Sequence, residues 1–242
     1  MLRRLYKFTQ QGAVAQQSDF KHADAQKYEF DSAKQTIREA YPNLLEMWKV
    51  AKQSGDLWQN ADDQWFLGNR DLFTKFVEHV RDRKCLEIGS GPFGHLAPCW
   101  WIKDRVVIDP LVQQYRAYEI ELFGESWFDG VTLIDSQAEE TISELVGKVD
   151  GFITTRNALD HCEDWLAIMN NISEYASSGC WLLLWTDIWH LAGHDEGHHN
   201  ITRSVEAMDK LLHGLGFDIV QHGQLIRKPD EFIEYGRLAI RR

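Results

Sequence analysis

Apolar positions along the chain follow two periods. Cys85 to Ile88, Arg105 to Asp109, Val131 to Asp135, Asp150 to Thr155 and Cys180 to Trp185 are short, nearly continuous apolar runs. They have the length of buried strands. Helical spacing separates them. Residues 31–52 carry Ala33, Ile37, Ala40, Leu44, Leu45, Trp48 and Ala51, with Pro42 as a break, which predicts two helices or one bent one. Asn69 or Asp71 caps a predicted helix through His79 bearing Leu72, Phe73, Phe76 and Val77. Further helices are expected over Val112–Phe123 and Glu140–Val146, and over Phe93–Ile102 as a short one disturbed by Pro98. Glu163–Ser177 carries the stripe Trp165, Ile168, Met169, Ile172 and Ala176, and Asp160 with Glu163 reads as its capping box. Ser204 or Thr202 caps a helix with Val205, Met208, Leu211 and Leu212, and strands Phe217–Leu225 and Phe232–Ile240 close the chain. Strands alternating with helices predict an α/β domain around a parallel sheet.

The chain is organised around Cys85-Leu86-Glu87-Ile88-Gly89-Ser90-Gly91-Pro92-Phe93-Gly94, a strand running into a glycine-rich turn. Gly89 and Gly91 permit a sharp turn with close backbone approach to a ligand, and Pro92 presets a first helical position. A turn of this kind floors a nucleoside crevice in a doubly wound sheet. Glu87 narrows the choice of nucleoside. A carboxylate there repels a diphosphate, whereas a cofactor carrying an ammonium and a sulfonium is tolerated beside it. Asp109 ends the next strand about twenty residues on, where a carboxylate can accept hydrogen bonds from both ribose hydroxyls. An N-cap role ahead of Pro110 is its bland alternative.

With its acid-x-Gly-x-Gly turn, the chain resembles the class I S-adenosylmethionine-dependent methyltransferases. Asn157, Leu159 and His161, with Asp160 between, resemble the fourth-strand end of the small-molecule "type 11" branch, some of whose members act on sugars. The closing helix, strand and antiparallel strand also resemble that family, over about residues 72–242. The resemblance implies a Rossmann-like seven-stranded sheet with its last strand antiparallel, preceded by an N-terminal helical extension or lid over residues 1–71. It implies S-adenosyl-L-methionine as cofactor, held by Glu87, Gly89, Ser90, Gly91, Asp109, Pro110, Ser136, Gln137 and Asn157, with Gln137 offered to the adenine amine. It implies methyl transfer to a small polar acceptor, such as a sugar or nucleotide-sugar hydroxyl.

Composition changes the picture mainly by exclusion. A formal net charge of −11 disfavours a broad nucleic-acid footprint, and no apolar run has the ~20 residues that span a bilayer. The basic start lacks the apolar core of a secretory signal, so a cytoplasmic protein is expected. Cys85, Cys99, Cys162 and Cys180 form no CxxC pair and read as reduced core thiols rather than zinc ligands or disulfides. Oligomeric state is not legible.

Between Thr186 and Thr202 lie His190, His194, His198 and His199, four of the ten histidines. A metal site using His190, His194, His198 and Asp195 or Glu196 is opposed by Gly193 and Gly197, which break the helix needed to align every fourth residue, and no metal is expected. An acceptor-facing loop in which His198 or His199 acts as base fits better, and His161 is the third candidate base. A solvated loop without chemistry stays open. So do a Rossmann-type NAD-dependent oxidoreductase, which shares the glycine spacing, and a binding protein that keeps this fold without turnover.

Overall fold

The computed structural model describes residues 22–54, 69–190, 200–223, 227–228 and 232–242. Five strands form the parallel part of the sheet: β1 (Lys84–Ile88), β2 (Asp104–Ile108), β3 (Thr132–Ile134), β4 (Phe152–Arg156) and β5 (Trp181–His190). β6 (Phe217–His222), the two-residue β7 (Arg227–Lys228) and β8 (Phe232–Arg241) complete it. The order is β3-β2-β1-β4-β5-β8-β6, with β8 antiparallel to both β5 and β6, and β7 a short added pairing on β8. This is the Rossmann-like seven-stranded sheet, last strand antiparallel, that the resemblance implies. The chain runs outward from β1 through β2 to β3, then returns to β4 on the opposite side of β1. That reversal opens a crevice at the carboxyl ends of β1 and β4.

Helices cover both faces. α2 (Arg70–Val80) begins at Asn69, whose side chain accepts from the Leu72 backbone N–H, and it buries Phe73, Phe76 and Val77 against Phe152 and Trp181. α4 (Trp165–Tyr175) and α5 (Val205–Gly214) fill the other side with Ile168, Met169, Ile172, Met208 and Leu212. α3 (Val112–Phe123) follows β2 over the range expected and ends on left-handed Gly124. α1 (His22–Ser54) is one continuous helix through Pro42. Proline within a helix costs about 3 kcal/mol, and buried Ile37, Tyr41 and Leu45 on either side offset it by packing with Val112, Tyr115 and Phe128. The buried stripe thus runs through Tyr41 rather than through Ala40 and Leu44.

Three local expectations are corrected. Phe93–Ile102 is not a helix: a 3-10 turn at Gly91–Phe93 gives way to irregular backbone. The His95 and Leu96 N–H groups there are donated to the Glu87 carboxylate instead of to a helix. Glu140–Val146 shortens to a 3-10 turn at Ser143–Leu145, because so few residues cannot nucleate a helix and the Ile142 N–H bonds the Tyr175 hydroxyl. Asp160 does not cap α4. Asp164 does, accepting from the Ala167 N–H, while Asp160 lies buried and accepts from the Thr186 hydroxyl at 3.1 Å.

All four cysteines are free thiols, and burial pushes the Cys99 and Cys180 thiols up to about 12. No described helix is long and apolar enough to cross a membrane.

Two carboxyls stand out as proton donors or acceptors in the fold. Burial raises both Glu87 and Glu119, the latter on α3 beneath α1, to about 7. Between their ordinary value near 4.5 and about 7 the folded chain holds protons that the unfolded chain has released. Stability should therefore fall as pH rises through that window and level off above it. Glu119→Gln should flatten the fall, read as thermal midpoint against pH. An unchanged slope would remove Glu119 from this account.

Candidate functional site

A cavity of about 590 Å³ lies at the carboxyl ends of β1, β2 and β4. Its floor is the turn after β1, where Gly89 and Gly91 adopt φ of +68° and +55°. The close approach is severe at Gly89: a Cβ there would lie 2.3 Å from the Ala158 Cβ, so the β1 and β4 turns touch backbone to side chain. At Gly91 a Cβ would meet nothing within 4 Å, leaving open space toward the cavity.

Asp109 ties the turn to β2. Its Oδ2 accepts from the Gly91 N–H at 2.9 Å and its Oδ1 from the Leu111 N–H at 2.8 Å. Asp109 is 4% exposed, and burial raises its pKa while these donors pull it back down. The carboxylate is consequently held in one orientation on the cavity wall, with the Ser90 N–H and hydroxyl also acting on it to lower its pKa. Pro110 lies beside it on the same wall.

The opposite wall comes from β4. Asn157 takes φ of +48°, the single positive φ at a non-glycine among the described residues, and its N–H donates to the Trp185 carbonyl at 2.8 Å. Strain of this kind is characteristic of functional turns. Arg156 precedes it and lines the cavity, with Nη1 3.4 Å from the His95 ring nitrogen. Gln137 and Glu139 line the cavity after β3, and His161 lies on the 3-10 turn Leu159–His161. The His161 Nε2 is 3.8 Å from the Asp160 carboxylate.

The structure thus brings Gly89, Ser90, Gly91, Asp109, Pro110, Gln137, Asn157 and His161 to one cavity. Glu87 and Ser136 are not among its lining residues. Glu87 is 2% exposed and binds the His95 and Leu96 N–H groups at 2.8 Å each, so it shapes the loop after the glycine turn. A Cβ on Gly94 would lie 2.8 Å from its Oε2. The Ser136 hydroxyl donates to the Glu140 carboxylate at 3.0 Å, with the Gln137 carbonyl as the alternative acceptor at 3.3 Å. His198 and His199 lie outside the described residues, as does most of the loop that holds them. Among the described residues no group of His, Cys, Asp and Glu is arranged to hold a metal ion.

The cavity also contains residues that motif reading missed. Tyr28, Glu29, Ser32 and Thr36 of α1 form a wall of their own, and Tyr115 of α3 joins them. Arg156 falls just past the strand expected to end at Thr155, and the structure makes it the last residue of β4.

No family model matches the chain, and no curated protein matches it. Solved structures do match in fold. A Galdieria sulphuraria protein assigned as a sarcosine dimethylglycine methyltransferase aligns with a TM-score of 0.55 at 13% identity, covering 73% of this chain and 84% of that one. The Streptomyces coelicolor geranyl diphosphate C-methyltransferase, in complex with Mg2+, geranyl diphosphate and S-adenosyl-L-homocysteine, aligns with a TM-score of 0.52 at 10% identity, over 72% and 78%. The YcgJ protein of Bacillus subtilis gives a TM-score of 0.51 at 14% identity, over 70% and 94%. At such identities the likeness establishes the fold.

Proposed function

We propose that this protein is an S-adenosylmethionine-dependent methyltransferase acting on a small polar acceptor. The observation that carries the reading is Asp109, pinned by the Gly91 and Leu111 N–H groups onto the cavity wall at the sheet's reversal point. A ribose diol needs a fixed acceptor pair at that place. The cavity fits the cofactor in its chemistry as well. Gly91 leaves room for close approach, Gln137 stands on the same wall region as Ala138 for an adenine edge, and the volume exceeds what a nucleoside alone requires. The fold neighbour with S-adenosyl-L-homocysteine bound supports the same assignment.

When bound, the cofactor supplies an electrophilic methyl group on a sulfonium. What the chain contributes is alignment and exclusion of water. The glycine turn, Asp109 and Asn157 hold the nucleoside side, and α1 covers the cavity so that donor and acceptor meet in a confined space. A sugar or nucleotide-sugar hydroxyl fits the polar lining from Ser32, Thr36 and Arg156. Such an acceptor must lose a proton. His161 is the described histidine placed to receive it, with Asp160 beside it and Asp160 in turn anchored by Thr186.

Calorimetric titration with S-adenosylmethionine, S-adenosylhomocysteine and NADH tests the cofactor. Binding of the two sulfur nucleosides supports the assignment; preference for NADH refutes it. In a turnover assay, His161→Ala should reduce methyl transfer to a hydroxyl by about 10²-fold with S-adenosylhomocysteine affinity retained. Unchanged turnover would exclude His161 as the base.

A further inference from the structure

The part of the cavity wall that the α/β core does not build comes from the first turns of α1. Glu29 stands there. Its Oε1 accepts from the Tyr115 hydroxyl at 3.3 Å, and its other oxygen has no protein partner among the described residues. Although Glu29 keeps some exposed surface, desolvation and then the charge of Asp109 raise its pKa. Tyr115, bonded to Glu29, lines the same cavity as both carboxylates, and burial first, then Asp109 and Glu29, drive its phenol up.

Two carboxylates from different elements therefore share one stretch of cavity. Like charges lining one cavity disfavour each other until donors or a cation reach them. Asp109 has already committed one lone pair on each oxygen to the backbone. Glu29 offers its other oxygen to the same cavity, so a pair of adjacent ligand hydroxyls would satisfy both acids at once.

α1 is anchored both along this wall and beyond it. The Tyr41 hydroxyl donates to the Glu125 carbonyl at 3.1 Å, its ring stacks on Phe123 at 4.6 Å, and the Trp48 indole N–H donates to the Pro98 carbonyl at 2.8 Å. Tyr41 sits roughly 18 Å further along the helix than Glu29 at 1.5 Å per residue. Nearer Glu29 the helix is held by Phe30, whose ring lies 5.9 Å from that of Tyr115 and 6.3 Å from that of Tyr118, and by buried Ala33 and Ile37, so Glu29 is presented from a packed stretch of helix.

We propose that Glu29 is a second ribose-binding carboxylate, contributed by α1, so that the nucleoside diol is held between Asp109 of the core and Glu29 of the covering helix. Binding of the nucleoside then adds one more tie between α1 and the core. The inference rests on the S-adenosylmethionine reading and deepens it, because it assigns the covering helix a direct part in choosing the cofactor.

The test is a cycle of calorimetric titrations. Wild type and Glu29→Gln are each titrated with S-adenosylhomocysteine and with its 2′,3′-dideoxy analogue. Glu29→Gln should weaken S-adenosylhomocysteine by about tenfold or more, the range of one hydrogen bond to a charged group, and leave the affinity for the dideoxy analogue at its wild-type level. Hydrogen exchange across α1 should slow when S-adenosylhomocysteine is added to wild type and slow much less in Glu29→Gln. Wild-type affinity in Glu29→Gln overturns the proposal. Equal losses for both ligands also overturn it, since they would mark a loosened helix rather than a hydroxyl contact. A wild type that binds neither sulfur nucleoside removes the cofactor assignment beneath it, which is a separate result.

Discussion

Gly89→Ala should destabilise the fold by about 3 kcal/mol and abolish cofactor binding. Two costs combine. A side chain at φ of +68° pays roughly 1–2 kcal/mol for the left-handed conformation. The new Cβ would also sit 2.3 Å from the Ala158 Cβ, and forced overpacking typically costs about 1–3 kcal/mol. Because the contact joins the β1 and β4 turns, relief by backbone movement opens the very crevice that binds the nucleoside. Chemical denaturation and S-adenosylhomocysteine titration check the two effects separately. Gly91→Ala supplies the contrast. Its φ of +55° carries the same conformational cost of roughly 1–2 kcal/mol, but a Cβ there meets no atom within 4 Å, so stability should fall by that amount alone while affinity is lost if a ligand occupies that space. A Gly89→Ala protein as stable as wild type would show that the close approach is not maintained.

Asp109→Asn should weaken S-adenosylhomocysteine by about 10³-fold. The carboxylate faces two ligand hydroxyls in the proposed complex, and hydrogen bonds to a charged acceptor contribute about 1.5–3 kcal/mol each. The amide adds a second fault. Asp109 serves two backbone donors with two oxygens, and asparagine has one oxygen, so either the Gly91 or the Leu111 N–H must face an NH2 group. Loss of the Gly91 tie would loosen the glycine turn, which should appear as faster hydrogen exchange at residues 89–93. Tenfold or weaker loss of affinity would show that Asp109 holds the loop without touching the ligand.

Much of this site was legible because its signals are local. The glycine turn announces itself by residue type, since φ near +60° at Gly89 and Gly91 excludes most side chains. Asp109 was readable as the acid closing an apolar strand, and Asn157 as the polar residue closing another. The same reasoning failed where a residue had a plausible local partner and a better distant one. Asp160 and Glu163 spell a capping box, yet Asp160 bonds Thr186, 26 residues on, and Asp164 takes the cap. Glu87 looked like a cofactor residue from its place before the glycines. Its two oxygens instead fix N–H groups eight and nine residues downstream. Tyr41 was overlooked in the α1 stripe because Pro42 next to it read as a break.

By itself, then, the sequence determined the order of strands and helices, the glycine turn and the acid at the end of β2. These depend on periodicity and on backbone conformations that neighbouring residues dictate. Only the tertiary structure decided which carboxylates face the cavity and which are consumed in holding it together. The deciding partners are far apart along the chain: Glu29 meets Tyr115 across 86 residues, and Tyr41 meets Glu125 across 84. Burial and hydrogen bonding at such separations follow from packing α1 on α3, and no pattern within either helix records that contact.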